Sequence, residues 1–336
     1  MSKVSVIIPN YNRAEIIGET IENMLSQTLP PHEVIVVDDG SSDTSIEVIK
    51  GFGSKIKLLK QVNKGPGAAR NAGIKLATGQ FIQFMDSDDL TSLNKLEMQA
   101  KALVNHNADI VYGPWLKAWM DDKVMRLENV VLQQKALPLS RTPLFWFLTE
   151  WSMVFQQCMI RKSIFTKING YREDIRFFED GDLFVRILLG GGKLVFESET
   201  LTFYRLNDFG KLTGNGQVNT GRAKAQAVFY QDMIKLAYTN IEMEEYTAHP
   251  DFKLNTAQAL LDLEAANLVD QNLYCDLIQV AGGSPKSNYI SLFSKRIKAG
   301  LVQRIKGHRW PNSYQAGALT SSQKKLIIDI GYKLIK

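Results

Sequence analysis

Over the first 110 residues, short apolar runs alternate with amphipathic stretches. Runs rich in β-branched residues predict strands, and apolar positions three or four apart predict helices. The predicted strands span residues 4–9, 34–37, 56–61 and 81–85; the predicted helices span 15–26, 43–52 and a stretch from the Gly-rich turn at 64–67 to 77. This order predicts an α/β fold, with a doubly wound, mostly parallel sheet, helices on both faces, and ligands at the carboxyl ends of the strands.

After residue 92 the pattern is mixed. The predictions here are a helix at 95–106, a strand at 109–112, a loop-rich aromatic region through Trp146 and Trp151, a helix at 181–189, and strands at 193–197 and 201–205. Residues 207–217, rich in Gly and Asn, predict a mobile loop. We therefore expect an α/β domain over residues 1–220, a helical extension over 221–285 and a basic amphipathic C-terminal tail over 286–336.

The composition is typical of a globular protein: 336 residues, of which 45% are hydrophobic and 22% charged. Two cysteines, Cys158 and Cys275, are too few for a disulfide framework and predict reduced thiols. No apolar run is long enough to cross a bilayer, and the strand pattern begins at Val4, which leaves no space for a signal peptide. These features predict a cytoplasmic protein.

The net charge of +5 is unevenly distributed. Residues 286–336 hold eleven Lys and Arg against one acid, Asp329, so the preceding residues are net acidic. Amphipathic helices are predicted at 288–306 and 324–336. Such basic helices either lie on an anionic membrane, here its inner face, or pack on the body with the basic face in solvent, and the sequence leaves both open. No nucleic-acid partner is expected, because no recognition module accompanies the charge.

Acidic residues follow two of the predicted strands. Asp86, Asp88 and Asp89 come directly after residues 81–85, and such close carboxylates repel one another unless a cation or hydrogen-bond donors compensate them. Mg²⁺ and Mn²⁺ prefer these hard oxygen ligands. The alternative is that Asp88 or Asp89 caps the next helix. Asp39 follows residues 34–37, where a carboxylate can accept the imide N–H of a uracil.

Two further segments carry candidate chemistry. Residues 65–71 lack the spacing of a phosphate loop, but their small side chains let a helix approach a nucleotide, so that Arg70 can reach the base or a phosphate. A tightly packed helix start explains the glycines equally well. Glu179 and Asp180 begin a predicted helix, where one carboxylate can deprotonate an incoming hydroxyl; capping is the alternative.

Taken together, five segments resemble family 2 glycosyltransferases in order and spacing over roughly residues 1–206. They are VSVIIPNYN at 4–12, VVDDGS at 36–41, ARNAG at 69–73, DSDD at 86–89 and the pair Glu179 and Asp180. The resemblance implies an inverting enzyme of the GT-A fold, with residues 1–220 as the nucleotide-sugar-binding and catalytic domain. It implies a sugar transfer from a nucleotide diphosphate donor, with UDP preferred, to the hydroxyl of a saccharide or lipid-linked acceptor, as in surface polysaccharide or glycolipid synthesis.

The resemblance also implies roles for single residues. Tyr11, just after Pro9, would stack on the base, whose polar edge Asp39 and Arg70 would hold. Asp86 would contact the ribose or metal, and Asp88 would coordinate the Mn²⁺ or Mg²⁺ that bridges the diphosphate. Asp180 would be the general base. Trp151 and Glu179 would face the acceptor or the donor sugar.

One departure from the family concerns a further metal ligand or phosphate contact, often a His, after the last strands. This chain has no His there, and Arg205, Asp208 or Lys211 could substitute.

Two other functions are alternatives. A sugar-nucleotide-forming nucleotidyltransferase needs a Gly-rich loop with Lys or Arg after the first strand, whereas residues 9–13 read PNYNR. A non-catalytic nucleotide-sugar-binding module would not need both acidic segments, and both are intact.

Overall fold

The computed structural model describes residues 2–128, 131–149, 151, 153–175, 177–207, 220–237, 256 and 316–335. Up to residue 112 the elements are β1 (Val4–Asn10), α1 (Ile17–Leu25), β2 (Glu33–Asp38), α2 (Ser45–Lys50), β3 (Lys57–Lys60), α3 (Pro66–Leu76), β4 (Phe81–Phe84), β5 (Leu90–Thr91), α4 (Lys95–Asn105) and β6 (Ile110–Tyr112). Each strand and helix predicted in this stretch is present, with bounds shifted by a few residues at most.

The later elements alternate less regularly. They are β7 (Trp115–Asp121), β8 (Val124–Leu127), α5 (Pro143–Thr149), β9 (Cys158–Arg161), α6 (Ser163–Ile168), α7 (Glu179–Leu189), β10 (Leu194–Phe196), β11 (Thr202–Arg205), α8 (Thr220–Ala237), α9 (Ser321–Asp329) and β12 (Lys333–Ile335). The region predicted as loop-rich thus contains a helix, α5. The strands predicted at 193–197 and 201–205 lie in different sheets.

The large sheet has seven strands in the order β10-β6-β9-β4-β1-β2-β3, and only β9 runs antiparallel to its neighbours. The expected α/β fold with a mostly parallel sheet is confirmed. Alternate residues of β1 enter different cores: Ile7 packs in one, Val6 and Ile8 in the other. Helices cover both faces, which explains why β1 and β2 are continuous apolar runs.

Helix α3 packs closely on β1. A Cβ added to Gly73 would lie 2.4 Å from Cγ2 of Ile7, so only glycine permits this approach. The helix begins with Pro66 after Gly65, whose φ of +92° suits glycine. This packing brings the first half of α3, with Arg70, to the carboxyl edge of the sheet.

A second, small sheet has the order β12-β8-β7-β11-β5. β7 and β8 form a hairpin whose two turn residues, Asp122 and Lys123, both have positive φ, as the tight hairpin turn requires. β11 ends at Arg205, and through β5 the small sheet is joined to the segment that follows β4.

The last described segment, residues 316–335, packs on the small sheet. A capping box of Thr320 and Gln323 starts α9, and β12 then pairs with β8. The helix predicted over 324–336 therefore ends early, at Asp329, since Gly331 adopts a φ of +81° and turns the chain. Ile327 and Tyr332 are buried, so this segment packs on the small sheet; a membrane contact of its basic side chains stays a prediction.

The other C-terminal predictions lie outside the described residues, including the helix at 288–306 and nearly all of the loop at 207–217. In the part of the chain that the structure describes, no helix combines the length and apolar character needed to cross a bilayer. The bounds of the three predicted regions stay predictions.

Candidate active site

The polar segments after β1, β2 and β4 meet at one edge of the large sheet, because β1 lies between two parallel neighbours. Asn10 donates from Nδ2 to Oδ1 of Asp38 at 2.9 Å, and its carbonyl accepts the backbone N–H of Asp39 at 2.8 Å. The N–H of Met85 donates to the Ile7 carbonyl at 3.0 Å. The residues that follow these strands therefore line a common edge.

The two neighbouring aspartates after β2 have different partners. Asp38 accepts hydrogen bonds from the hydroxyl and backbone N–H of Ser41 and so shapes its own loop. Asp39 is buried, and its carboxylate accepts the backbone N–H groups of Lys64 (2.9 Å) and Gly65 (2.8 Å) and the amide of Gln61 (2.8 Å). Asp39 thereby fixes the turn that starts α3. Oδ2 accepts only the Gly65 bond among the described residues, so it can accept one more donor; its contact with a base stays a prediction.

Arg70 brings three predicted carboxylates together. Its guanidinium, only 4% exposed, donates to Oδ1 of Asp86 at 2.8 Å and to Oε1 of Glu179 at 3.1 Å, and lies 3.5 Å from Oδ1 of Asp180. The guanidinium carbon lies over the ring of Tyr171, 5.6 Å from the ring centroid. The structure thus places Arg70 as the counter-ion of the acidic cluster, whereas the resemblance assigned it to the nucleotide base.

Asp180 and Glu179 occupy the first turn of α7, and both are hard to ionise. Burial raises the pKa of Asp180, the Asp86 charge raises it further, and Arg70 opposes this. Burial likewise raises the pKa of Glu179 to about 7, with a further increase from Asp180 and an opposing effect of Arg70. The Tyr171 hydroxyl donates to Oδ1 of Asp180 at 3.0 Å. Burial raises the Tyr171 pKa far above its usual value, so the phenol stays protonated and keeps this bond.

The segment after β4 presents Asp88 to the same edge. Oδ2 of Asp88 lies 3.6 Å from Nε of Arg13, which follows β1. Asp89 differs: it is buried, and its carboxylate accepts the backbone N–H of Arg205 and the side-chain amide of Gln156. Asp89 is therefore a structural anchor, and the N-cap of the next described helix, α4, is Asn94 instead.

Arg205 does not replace the missing histidine. Its side chain is 3% exposed and packs against the acidic loop, residues 86–89, where Nε donates to the carbonyl of Asp88 at 2.8 Å. The other two candidates, Asp208 and Lys211, lie outside the described residues.

In the described residues, no three His, Cys, Asp or Glu side chains converge closely enough to hold a metal ion by themselves. Asp86 and Asp88 instead face guanidinium groups. Mg²⁺ usually takes one or two protein carboxylates together with substrate phosphates. The side chains present fit an ion shared with a bound diphosphate.

The remaining predicted residues divide into exposed and buried ones. Tyr11 is 45% exposed and its ring is available to a ligand, while Pro9 is a partly buried residue of β1. Trp151 is buried between the rings of Tyr112 and Phe184, and its indole N–H donates to Gln133 at 2.8 Å. Trp151 therefore belongs to the core, and its predicted contact with a sugar is not supported.

Sequence reasoning missed Tyr171 and Arg13. Tyr171 is placed by Asn71, which accepts its backbone N–H at 2.8 Å and donates to its carbonyl at 2.9 Å. These partners are 100 residues apart, so no local pattern reveals the pairing. Arg13 stands next to the segment at 4–12 but resembles an ordinary surface residue in sequence.

Residues 5–168 match the family model described as "Glycosyl transferase family 2". The chain is 44% identical over 112 residues to UDP-Glc:alpha-D-GlcNAc-diphosphoundecaprenol beta-1,3-glucosyltransferase WfgD of Escherichia coli, which covers 33% of this chain and 44% of that protein. The matched part of this chain therefore spans less than half the length of WfgD. An uncharacterized glycosyltransferase of Rickettsia prowazekii, RP339, is 28% identical over 311 residues, 91% of this chain and 92% of that one.

Two solved structures share the fold. S. aureus TarS 1–349 in complex with UDP superposes with a TM-score of 0.57 at 18% identity and covers 88% of this chain and 92% of its own. The mannosyltransferase PcManGT from Pyrobaculum calidifontis, in complex with GDP-Man and Mn²⁺, gives 0.52 at 14% identity, over 98% of this chain and 86% of its own.

Proposed function

Because residues 5–168 place this chain in glycosyl transferase family 2, we propose that it transfers a sugar from a UDP-sugar to an acceptor hydroxyl, with inversion at the anomeric carbon. One observation carries the proposal. Asp86 from the end of β4 and Asp180 from the start of α7 meet at one buried cation, Arg70, on the carboxyl edge of the sheet. This edge is where ligands bind in open α/β sheets.

Asp180 is the proposed general base. As the acceptor oxygen attacks the anomeric carbon, the bond from that carbon to the phosphate oxygen breaks, the nucleoside diphosphate leaves, and the hydroxyl proton passes to Asp180. Both described contacts of this carboxylate run to Oδ1, so Oδ2 can turn to the acceptor. A raised pKa makes a carboxylate a stronger base near neutral pH.

Donor binding is assigned to the residues around the ends of β1, β2 and β4. The exposed ring of Tyr11 stacks on the base, Asp39 accepts a base N–H, and Asp86 binds the ribose or, together with Asp88, a Mn²⁺ or Mg²⁺ ion. That ion supplies positive charge to the leaving diphosphate. The preference for UDP is supported by the TarS structures with UDP and UDP-GlcNAc.

The acceptor is proposed to be a saccharide or a lipid-linked saccharide in surface polysaccharide or glycolipid synthesis, at the cytoplasmic face of a membrane. The name of WfgD includes a diphosphoundecaprenol acceptor, and residues 286–336 are strongly basic. Lys324, Lys325 and Lys333 are exposed. Flotation with anionic vesicles tests the membrane contact, and equal flotation of a Lys324→Glu, Lys325→Glu, Lys333→Glu variant would contradict it.

The central test separates binding from chemistry. Asp180→Asn should lose about 10²- to 10⁴-fold in turnover, the usual contribution of a general base, while its Mn²⁺-dependent affinity for UDP is retained. Asp88→Ala should instead weaken that metal-dependent affinity. The matched control is Asp174→Asn, at an exposed aspartate that lies shortly before α7. It should change neither turnover nor the affinity for UDP.

Turnover is measured as UDP release from UDP-sugars, and affinity as thermal stabilisation by UDP with and without Mn²⁺. If Asp180→Asn lost UDP affinity as sharply as turnover, its role as base would be wrong. An Asp88→Ala protein with unchanged metal dependence would refute the metal assignment.

A further inference from the structure

The acidic loop of residues 86–89 is held from behind by one buried arginine. Arg205, at the end of β11, donates from Nε to the carbonyl of Asp88 and from its backbone N–H to Oδ1 of Asp89, each at 2.8 Å. Its NH1 donates to the carbonyl of Met120 at 2.8 Å, which ties the guanidinium to β7. The backbone position of Asp88 therefore depends on where Arg205 lies.

A glutamate on α1 holds Arg205 in turn. Oε2 of Glu19 accepts from NH2 of Arg205 at 2.5 Å, and Oε1 accepts from the Tyr332 hydroxyl at 2.9 Å and from Lys123. Burial alone would raise the pKa of Glu19, but hydrogen bonds and charge from Lys123, Arg205 and Tyr332 outweigh it, so the pKa lies below its ordinary value. Glu19 is thus a stable anion that neutralises the buried arginine.

Tyr332 comes from the far end of the chain. Its ring is 4% exposed and packs in the small-sheet core with Met125 and Ile327. It lies between α9 and β12, and its hydroxyl reaches a residue 313 positions earlier. A continuous chain of hydrogen bonds therefore runs from Tyr332 through Glu19 and Arg205 to the carbonyl of Asp88.

We infer that Tyr332, Glu19 and Arg205 are positioning residues, by which the C-terminal segment 316–335 sets the place of the acidic loop and hence the affinity for a metal–nucleotide complex. The inference rests on the proposed function of this loop. Close carboxylates repel one another, and the loop keeps Asp86 and Asp88 together only while its backbone is fixed. Outer hydrogen bonds orient metal-binding side chains, and their loss commonly weakens metal affinity.

The test uses the full chain and three variants. Tyr332→Phe keeps the buried ring and removes only the hydroxyl, and Glu19→Gln keeps the shape and removes the charge. Ile327→Val, in the same segment and 0% exposed, shortens a core side chain and removes no hydrogen-bonding group. UDP is titrated calorimetrically at limiting Mn²⁺, at saturating Mn²⁺ and without metal, and thermal unfolding is recorded without ligand.

At limiting Mn²⁺, Tyr332→Phe should weaken UDP binding about threefold, the effect of one neutral hydrogen bond. Glu19→Gln should weaken it about tenfold, the lower end of the loss seen when outer hydrogen bonds of metal ligands are removed. Saturating Mn²⁺ should restore most of the affinity, and metal-free UDP binding should not change. Ile327→Val should lower the unfolding temperature without altering UDP binding.

Two failures are distinguishable. If the wild-type protein bound UDP with no dependence on Mn²⁺, the proposed function of the acidic loop would fail. If the wild type showed that dependence but Tyr332→Phe and Glu19→Gln bound like it, or Ile327→Val lost as much affinity as they did, the inference alone would be overturned.

Discussion

Replacing Arg70 with glutamine should move the acidic limb of the pH–rate profile to higher pH. Among the residues that the structure describes, Arg70 is the cation that contacts Asp180, Glu179 and Asp86. A base must be ionised to accept a proton, and Arg70 favours the ionised form of Asp180 against its burial. Without the guanidinium the pKa of Asp180 rises further, and a larger share of the enzyme is protonated and inactive below it.

The size of the effect follows from the geometry. Two unit charges at the 3.5 Å that separates Arg70 and Asp180 interact by about 5 kcal/mol at an effective dielectric constant of about 20. The Asp180 side chain is 34% exposed, so water screens part of this. An opposite charge at such a distance typically lowers a carboxyl pKa by about 1–3 units. The acidic limb of the pH–rate profile should therefore move to higher pH by about 1–3 units. At a pH below the new pKa, turnover should fall by about 10- to 1000-fold.

The assay is kcat at saturating donor and metal, measured from about pH 5 to about pH 9, so that base ionisation is followed in the bound complex. Arg70→Lys keeps the charge and loses the planar fork, so its limb should lie between those of the wild type and Arg70→Gln. The opposite result is equally clear. If Arg70→Gln raised the KM for the donor at every pH and left the limb in place, Arg70 would act on the nucleotide base and the counter-ion assignment would be refuted.

Two further variants test the same region. Burial raises the pKa of Glu179 to about 7 in the folded protein, so the stability contributed by its protonated form is complete below the pKa it has in the unfolded chain and is lost as pH rises through 7. Glu179→Gln should therefore unfold at a higher temperature than the wild type at pH 8 and at a similar temperature at pH 5. If the two unfolding temperatures differed by the same amount at every pH, this assignment would be contradicted. Gly73→Ala puts a Cβ 2.4 Å from Ile7 and should cost about 1–3 kcal/mol of unfolding free energy in urea. Gly18→Ala on α1, with only an ordinary contact at 3.6 Å, is its control and should be neutral or stabilising.

The large sheet was predictable because its signal is local. β1 and β2 are buried on both faces and read as apolar runs, and the helices between them carry one apolar face. Of the small sheet, only β11 was predicted, as the strand at 201–205. β5 has only two residues, and within the large sheet the antiparallel strand β9 was missed because only long-range pairing with β4 and β6 decides it. The apolar spacing over 324–336 fits a helix, yet a positive φ at Gly331 converts its end into β12.

The site was predictable as a set of residues, and its internal pairing was not. Asp86, Asp180 and Arg70 were identified from their positions after strands, at a helix start and in the resemblance. Their shared contact depends on side chains from α3 and from the start of α7 meeting, although Arg70 and Glu179 are 109 residues apart in the chain. Trp151 was misjudged for the same reason, since an aromatic residue in a loop-rich stretch gives no sign in sequence of whether it is buried.

The charge balance of the cleft bears on the proposed metal requirement independently of any resemblance. Four carboxylates, Asp86, Asp88, Glu179 and Asp180, face two guanidinium groups, those of Arg13 and Arg70. With all groups ionised these contacts leave two negative charges, or one when Glu179 holds its proton. A nucleoside diphosphate brings further negative charge to the same edge, and like charges at close range in a partly desolvated cleft are strongly unfavourable. From these described contacts we expect donor binding at this edge to need an additional cation, which a divalent ion bound by Asp88 and the diphosphate would provide, and UDP should bind weakly at low ionic strength when Mn²⁺ and Mg²⁺ are removed.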